Sequence, residues 1–134
     1  MTIQVTQVSK TFALPDGRAT QAVSETSFTV EQGEFVVIVG PSGCGKTTIL
    51  NMIAGLAAPS SGSIAVGGTA VRGPGVDRGV MFQDYALFPW QTVAGNIAFP
   101  LRYGPAGAGL DRPRLERRVA ETIALVGLGG AEQK

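Results

Sequence analysis

A glycine-rich turn followed by a lysine and a threonine is the feature of this sequence whose residue types and spacing most clearly indicate a chemistry. Residues 40–47 read GPSGCGKT and directly follow the apolar run FVVIV. Glycine at the first and sixth positions, then Lys46 and Thr47, complete the pattern of a loop whose backbone N–H groups surround phosphate oxygens. Glycines suit such a loop because a Cβ would obstruct the approach of the anion. The sequence therefore predicts a nucleotide-binding site.

Each functional side chain of this loop has its own predicted role. Lys46 would bridge the β- and γ-phosphates, and the Thr47 hydroxyl would ligate a magnesium ion that those phosphates share. The positive end of the following helix would add to the attraction. A glycine-rich turn with an incidental lysine is the alternative, but it leaves the apolar run before the loop and the helical pattern after it unexplained. The predicted nucleotide contacts in the loop are Gly40, Pro41, Ser42, Gly43, Cys44, Gly45, Lys46, Thr47 and Thr48.

Apolar patterns on both sides of the loop predict the elements that hold it in place. Residues 35–39 have the composition of a buried parallel strand, and the helix after the loop is expected to end near Gly55. Before the loop, alternating apolar residues predict antiparallel strands around residues 3–8 and 28–30, joined by a turn at residues 15–17. The apolar face of the predicted helix consists of Ile49, Leu50, Ile53 and Leu56.

The rest of the chain predicts a hairpin, a short strand and a second helix. The hairpin joins residues 64–66 to 69–71 through two glycines, and the strand covers residues 80–82. From Asp111 onward, apolar residues follow helical spacing at Leu115, Val119, Ile123 and Val126, and glycines from Gly127 end the helix. Its charged face is interpreted as solvated rather than as a membrane or phosphate patch. That face carries Arg112, Arg114, Glu116, Arg117, Arg118 and Glu121.

Composition limits the classes of function that need to be considered. The chain is 44% hydrophobic and 16% charged with a net charge of +1, which argues against a disordered tail or a nucleic-acid partner. No apolar stretch approaches the roughly 18 residues that span a bilayer, and no signal peptide is evident. The sequence contains no histidine, which excludes histidine-based catalysis. The single cysteine, Cys44, is interpreted as a small side chain accommodated in the loop rather than as a nucleophile.

A second block, VMFQDYALFPWQTVAGNIAF at residues 80–99, together with the upstream GPSGCGKTT, resembles the ATP-binding subunits of ATP-binding cassette (ABC) transporters. Along the whole chain, the features that match the family stand in the expected order: VSKTF, GEFVVIVGPSGCGKTTILNMIAGL, GSIAVGG, VMFQ, LFPW and VAGNIAFPL. The stretch PGVDRGVMFQ with LFPW is most similar to importers of nitrate, sulfonates and taurine. The resemblance implies an α/β fold of the P-loop NTPase type with an N-terminal antiparallel β subdomain. By this resemblance, residues 1–89 hold that subdomain and the P-loop core, and residues 90–134 begin a helical subdomain.

The same resemblance implies roles for residues outside the loop. Gln83 matches the glutamine that helps coordinate magnesium and senses the membrane partner, and its alternative is a polar residue that ends a strand. Phe12 matches the aromatic residue that stacks on adenine, and its alternative is packing in an edge strand. The apolar residues after Gln83 match the surface on which the membrane permease docks, and a buried hinge is the competing explanation. These residues are Leu87, Phe88, Pro89 and Trp90.

Several motifs of the family are missing from the sequence. It contains no LSGGQ signature, no apolar strand ending in Asp and Glu, and no switch histidine, so no catalytic residue is identified. Tyr85 stands after Asp84 where a catalytic carboxylate would follow, and residues 128–130 (LGG) lack the serine of a signature. We expect the sequence to be a truncated N-terminal piece of a longer protein. Without the middle strands of its sheet, residues 35–39 would have unpaired apolar edges, which predicts a poorly stable chain.

The resemblance implies an energy-coupling ATPase that binds ATP and Mg²⁺. Two copies would enclose two ATP molecules and drive a membrane permease, which receives solute from a periplasmic or lipid-anchored binding protein. Such a subunit would be cytoplasmic and peripheral on the inner face of the plasma membrane. A non-hydrolysing nucleotide-binding remnant, a non-transport ABC ATPase and a P-loop kinase are the alternatives. The kinase is disfavoured because it leaves the block around Gln83 unexplained.

Overall fold

The chain forms two compact units, Met1–Val80 and Met81–Lys134. The structure, a computed structural model, describes residues 1–84 and 86–134. Tyr85, which the sequence places after Asp84, lies outside the described residues.

A four-stranded antiparallel sheet forms most of the first unit. Its strands are β1 (Ile3–Ala13), β2 (Ala19–Val30), β3 (Ser61–Val66) and β4 (Thr69–Ala70), in the order β2-β1-β3-β4. The turn between β1 and β2 is closed by the Leu14 N–H, which donates to the Arg18 carbonyl at 2.7 Å. Between β3 and β4, Gly67 and Gly68 have φ angles of 56° and 78°, which are the values of the tight hairpin turn that two glycines favour. Both predicted hairpins are confirmed.

A bulge in β1 directs two valines to the same side of the sheet. Val5 and Val8 are three residues apart and would face opposite sides of a regular strand, yet both are buried. The pairing register with β2 shifts between them, and Gln7 has a φ of 48°. The Gln7 N–H donates to Ser27 Oγ at 2.8 Å instead of continuing the regular ladder. Gly62 of β3 is needed beside the bulge, because a Cβ there would collide with the Gln7 carbonyl oxygen.

Helix α1 (Lys46–Ala54) packs on this sheet through Met52. The Met52 side chain is only 1% exposed, and Ile49 and Ile53 pack at the edge of the same core. Leu50, which the sequence places on the apolar face, is 54% exposed, because it lies two residues from Met52 and therefore on the other side of the helix. The helix ends at Gly55, near where the sequence predicts its end, and Gly55 has a left-handed conformation. The buried core consists of Val5, Val8, Val23, Met52 and Ile64.

Two predicted strands do not form. Residues 35–39 and 80–82 have no strand structure, and Phe35 is 90% exposed. A strand needs a neighbour that exchanges backbone hydrogen bonds with it. No strand in the described ranges 1–84 and 86–134 pairs with either run. The prediction of these strands was wrong, whereas the exposure of residues 35–39 agrees with the expectation that their edges are unpaired.

The second unit is built from α2 (Val93–Tyr103), a short 3-10 helix (Pro105–Gly107) and α3 (Arg112–Leu125). α3 begins directly after Asp111, as predicted. Asp111 Oδ1 accepts a hydrogen bond from the Arg114 N–H at 2.9 Å and thereby caps the helix. Val126 is exposed because it lies at the end of the helix rather than on its buried face. The core of this unit is formed by Ala98, Val119 and Ile123, with Val93, Ala94, Ile97, Leu101 and Leu115 packed against it.

Met52 and Leu50 provide a direct test of the packing of α1. We expect Met52→Ala to lower the free energy of unfolding by about 2–5 kcal/mol, because it leaves a cavity in the core. Leu50→Ala should cost less than about 1 kcal/mol, because an exposed side chain leaves no cavity. Urea unfolding of the 134-residue chain, followed by circular dichroism, measures both. Equal effects of the two substitutions would contradict the packing described for α1.

Candidate functional site

The candidate phosphate loop, residues 40–48, consists of a tight turn at residues 40–45 and the first three residues of α1. Gly43 and Gly45 have φ angles of 82° and 93°, in the left-handed region that glycine adopts most readily. Gly45 also lies against β2, where a Cβ would collide with the Ala22 carbonyl oxygen and lie 3.0 Å from a methyl group of Val23. Close contact with the sheet therefore determines where the turn ends and the helix begins.

The start of α1 presents backbone N–H groups without a local acceptor. Gly45 is the residue that precedes the helix, and because it is a glycine no side chain at this position caps the first turn. First-turn amides have no partner within a helix, and their dipoles give that end a partial positive charge. No acidic side chain lies in the first turn, all of which the structure describes. This end of α1 is therefore suited to a phosphate group.

The Lys46 ammonium lies within the turn. Its Nζ donates to the carbonyl oxygens of Gly40 at 2.8 Å and Pro41 at 2.6 Å, and it lies 3.5 Å from Cys44 Sγ. A phosphate would offer this ammonium a charged acceptor, which forms a stronger hydrogen bond than a neutral carbonyl does. The turn thus already contains the positive charge that the sequence assigns to it.

Thr47 is the candidate magnesium ligand, and its side chain is exposed at the start of α1. The described residues contain no cluster of three His, Cys, Asp or Glu side chains that could hold a metal ion by themselves. A hydroxyl oxygen is the type of ligand that Mg²⁺ takes when phosphates and water complete its octahedron. The residues present therefore fit a magnesium ion that arrives with a nucleotide.

Phe12 lies near the end of β1, where it pairs with Thr20. The residue is 45% exposed and does not belong to the core of the first unit. The Lys10 Nζ lies 5.0 Å from the ring centroid and also donates to the Ala58 carbonyl at 2.7 Å. The exposed part of the ring provides an aromatic surface on which a base can stack.

Arg78 is a structural residue that the sequence patterns did not single out. Its guanidinium donates to the carbonyl oxygens of Ala54 at 3.4 Å and Gly73 at 2.7 Å, and it forms an ion pair with Asp77 at 2.6 Å. The side chain is only 16% exposed. It thereby ties the last turn of α1 to residues 73–78, at the helix end where a positive charge is favourable. A single arginine between Asp77 and Gly79 has no periodicity that would reveal this contact.

Gln83 and the apolar residues that follow it lie in the second unit, whereas the turn at residues 40–48 lies in the first. The Gln83 side chain is exposed. Leu87 and Trp90 are 65% and 76% exposed, and the Phe88 ring lies between the rings of Trp90 and Phe99, at centroid distances of 5.4 Å and 4.6 Å. Within the second unit, residues 87–90 therefore form a surface rather than a buried segment.

Comparison with known proteins identifies the family. The sequence model described as "ABC transporter" matches residues 23–134. The chain belongs to the ABC transporter family. It is 47% identical over 134 residues to the nitrate import ATP-binding protein NrtC of Synechococcus elongatus, covering 98% of this chain and 20% of that protein. It is 44% identical over 119 residues to the taurine import ATP-binding protein TauB of Pelagibacter ubique, covering 89% of this chain and 43% of that protein.

Solved structures of ABC proteins agree with this assignment. The ATP-binding cassette MJ0796, in a dimeric post-hydrolysis state bound to ADP and Pi, matches with a TM-score of 0.82 and 26% identity. The match covers 98% of this chain and 61% of that chain. The predicted family and fold class are therefore confirmed. The chain spans between about a fifth and about a half of the length of the two import proteins named above.

The predicted phosphate contacts, residues 40–48, are continuous in the chain and lie in the first unit. The roles of these residues, of Gln83 and of Phe12 stay predictions. Among the described residues, no helix combines the length and the apolar character that crossing a bilayer requires.

Gly43 and Gly45 allow the contact between the turn and β2 to be tested. Both have positive φ angles, so alanine at either position should cost about 1–2 kcal/mol of stability. We expect Gly45→Ala to cost a further 1–3 kcal/mol or so, because its Cβ would overlap the Ala22 carbonyl oxygen, whereas a Cβ at Gly43 meets no atom within 4 Å. Urea unfolding curves of the two variants measure the difference. Equal stabilities would show that the turn does not rest on β2.

Proposed function

We propose that this chain is the N-terminal part of the ATP-binding subunit of an ABC importer. The observation that carries the proposal is the candidate phosphate loop at residues 40–48, which combines left-handed glycines, a helix start without a side-chain cap and the Lys46 ammonium. In this proposal, residues 1–89 form the β subdomain and P-loop core, and residues 90–134 begin the helical subdomain. The names of the relatives NrtC and TauB support an importer of the nitrate, sulfonate or taurine type.

ATP would bind with its triphosphate in the turn and its base near β1. The N–H groups at the start of α1 would donate to phosphate oxygens, and Lys46 would exchange its two carbonyl contacts for the β- and γ-phosphates. Thr47 and Gln83 would supply oxygen ligands to Mg²⁺, which neutralises phosphate charge when bound. Phe12 would stack on adenine through the exposed part of its ring.

Hydrolysis is proposed for the whole protein. Attack on the γ-phosphate needs a group that positions water, and the sequence contains neither the family's catalytic carboxylate motif nor any histidine. The residues present would bind the nucleotide and orient its phosphates. The signature segment that completes the site would come from a second copy, and the dimeric form of the cassette MJ0796 supports this arrangement.

Coupling to transport would involve the exposed apolar surface of the second unit. Leu87, Phe88, Pro89 and Trp90 would contact a membrane permease, which would place the subunit at the cytoplasmic face of the membrane. A periplasmic or lipid-anchored binding protein would deliver the solute to the permease. Neighbouring exposed aromatic and aliphatic side chains are more typical of a protein interface than of a turn that faces only water.

Lys46 and Lys134 form a matched pair for testing nucleotide binding. We expect Lys46→Ala to weaken binding of Mg-ATP by about 10–100-fold, because it removes a charge-assisted hydrogen bond to phosphate of about 1.5–3 kcal/mol. Lys134→Ala removes the same charge from the second unit and should leave affinity unchanged. Isothermal titration of the 134-residue chain measures both variants. Equal affinity in Lys46→Ala and the unsubstituted chain would remove Lys46 from its proposed role, and no binding by either would favour a remnant without nucleotide function.

Phe12 can be tested by comparing ATP with inorganic triphosphate, which has no base. We expect Phe12→Ala to weaken ATP binding by about tenfold, because stacking on a base is worth about 1–3 kcal/mol, and to leave triphosphate binding unchanged. Phe12→Tyr keeps the aromatic face and should bind ATP normally. Competition titration with both ligands measures these effects. A parallel loss of triphosphate binding would mean that Phe12 supports the strand rather than the base.

A further inference from the structure

The side chain of Asn96 makes a concentrated set of hydrogen bonds in the second unit. Its Nδ2 donates to the carbonyl oxygens of Phe88 at 3.2 Å, Gln91 at 3.2 Å and Thr92 at 3.1 Å. Its Oδ1 accepts from the Phe88 N–H at 2.8 Å. One amide group therefore binds both backbone polar groups of Phe88 and two further carbonyls in the segment that precedes α2.

Both the NH₂ group and the carbonyl oxygen of the Asn96 side chain are hydrogen-bonded. Two N–H bonds reach three carbonyls, so one of them is shared between two acceptors. The reversed amide orientation would place a second N–H against the Phe88 N–H, so only the orientation described satisfies that donor. The side chain is partly buried, where polar groups without partners would be costly.

Helix stability alone does not explain an asparagine at this position. The start of α2 is already capped by Thr92, whose Oγ1 accepts from the Gly95 N–H at 3.1 Å. Asn96 lies inside the helix, where asparagine is a poorer helix former than alanine or leucine because its side chain competes for backbone groups. Here those backbone groups belong to the preceding segment, so the side chain holds that segment instead.

The backbone of Phe88 carries this restraint to the exposed aromatic residues. The Phe88 ring lies 5.4 Å from the Trp90 ring and 4.6 Å from the Phe99 ring, centroid to centroid, and Phe99 lies 5.0 Å from Tyr103. Phe88 is thus the link between α2 and Trp90. Without a fixed Phe88, Trp90 would lose its one aromatic neighbour among the described contacts.

We propose that Asn96 is a positioning residue that holds residues 88–92 in one conformation and thereby preforms the apolar surface of Leu87, Phe88, Pro89 and Trp90. That this surface receives the membrane permease rests on the proposed function. Preforming the surface would lower the conformational entropy lost on docking, since the turn and its aromatic side chains are already ordered.

Two variants of Asn96 and one control separate positioning from general stability. Asn96→Ala removes all four bonds. Asn96→Asp keeps the shape and the acceptor for the Phe88 N–H but removes the donors to the three carbonyls. Thr92→Ala removes the helix cap in the same turn, which weakens α2 without removing any bond to Phe88.

Two measurements on the 134-residue chain report on the segment directly. The chain contains one tryptophan, so fluorescence anisotropy excited at the red edge of the spectrum reports on Trp90 alone. Hydrogen exchange at the Phe88 amide reports on its bond to Oδ1. We expect Asn96→Ala to lower the anisotropy and to speed Phe88 exchange by about tenfold or more. Asn96→Asp should lower the anisotropy but retain most of the Phe88 protection, and Thr92→Ala should change neither.

The outcome distinguishes the two ideas. If Thr92→Ala lowers the anisotropy as much as Asn96→Ala does, or if Asn96→Asp behaves like the unsubstituted chain, the positioning role of Asn96 is overturned. Permease docking is tested separately by solute uptake in the complete transporter with Trp90→Ala. Normal uptake there, together with the expected anisotropy changes, would overturn the docking surface and leave the role of Asn96 in place.

Discussion

The packing of α1 on the antiparallel sheet is the contact on which the candidate nucleotide site depends. Met52 is buried among valines and an isoleucine from three strands, and this apolar contact fixes the axis of the helix. At the N-terminal end, the left-handed Gly45 lies against the Ala22 carbonyl, and at the other end Arg78 binds the Ala54 carbonyl. Because both ends and the centre are held, the first-turn amides have a defined position. A phosphate site built from backbone groups needs such support, since no side chain can compensate for a misplaced helix.

Within the described residues, only one of the two segments that flank the turn, α1, is held by packing. The segment at residues 35–39, which enters the turn from the other direction, has no strand partner and exposes Phe35 to solvent. Exposure of apolar side chains to water is unfavourable, and the backbone groups of this segment must bond to water instead of to a neighbouring strand. The composition of the segment therefore suits a burial that the described residues do not provide. The chain also spans less than half of the relatives NrtC and TauB, with which it shares close to half of its aligned residues.

Sequence patterns predicted the parts of the structure that local physics determines. The glycine pair between β3 and β4 and the glycine that ends α1 act within a few residues and lie where predicted, and α3 begins directly after Asp111 as its periodicity predicts. Contacts between distant segments were not accessible in this way. The bulge at Gln7 places Val5 and Val8 on one side, and periodicity alone assigns them to opposite sides. Residues 35–39 were predicted as a strand because composition indicates burial, but strand formation depends on a partner that composition does not reveal.

The residues that hold the functional segments were harder to predict than the residues expected to bind ligands. The candidate phosphate-binding turn follows a fixed sequence pattern, because backbone geometry and one lysine must meet the same anion in every such site. Arg78 and Asn96 instead act on carbonyl oxygens that belong to neighbouring turns, and many residue types and spacings can satisfy a carbonyl. Each of the two holds a different segment, Arg78 at the end of α1 in the first unit and Asn96 before α2 in the second. Arg78 therefore supports the candidate phosphate loop only through the far end of α1, whereas Asn96 binds the backbone of the exposed segment itself. In both units the residue that gives support differs from the residues expected to bind a ligand, so the two can be altered separately.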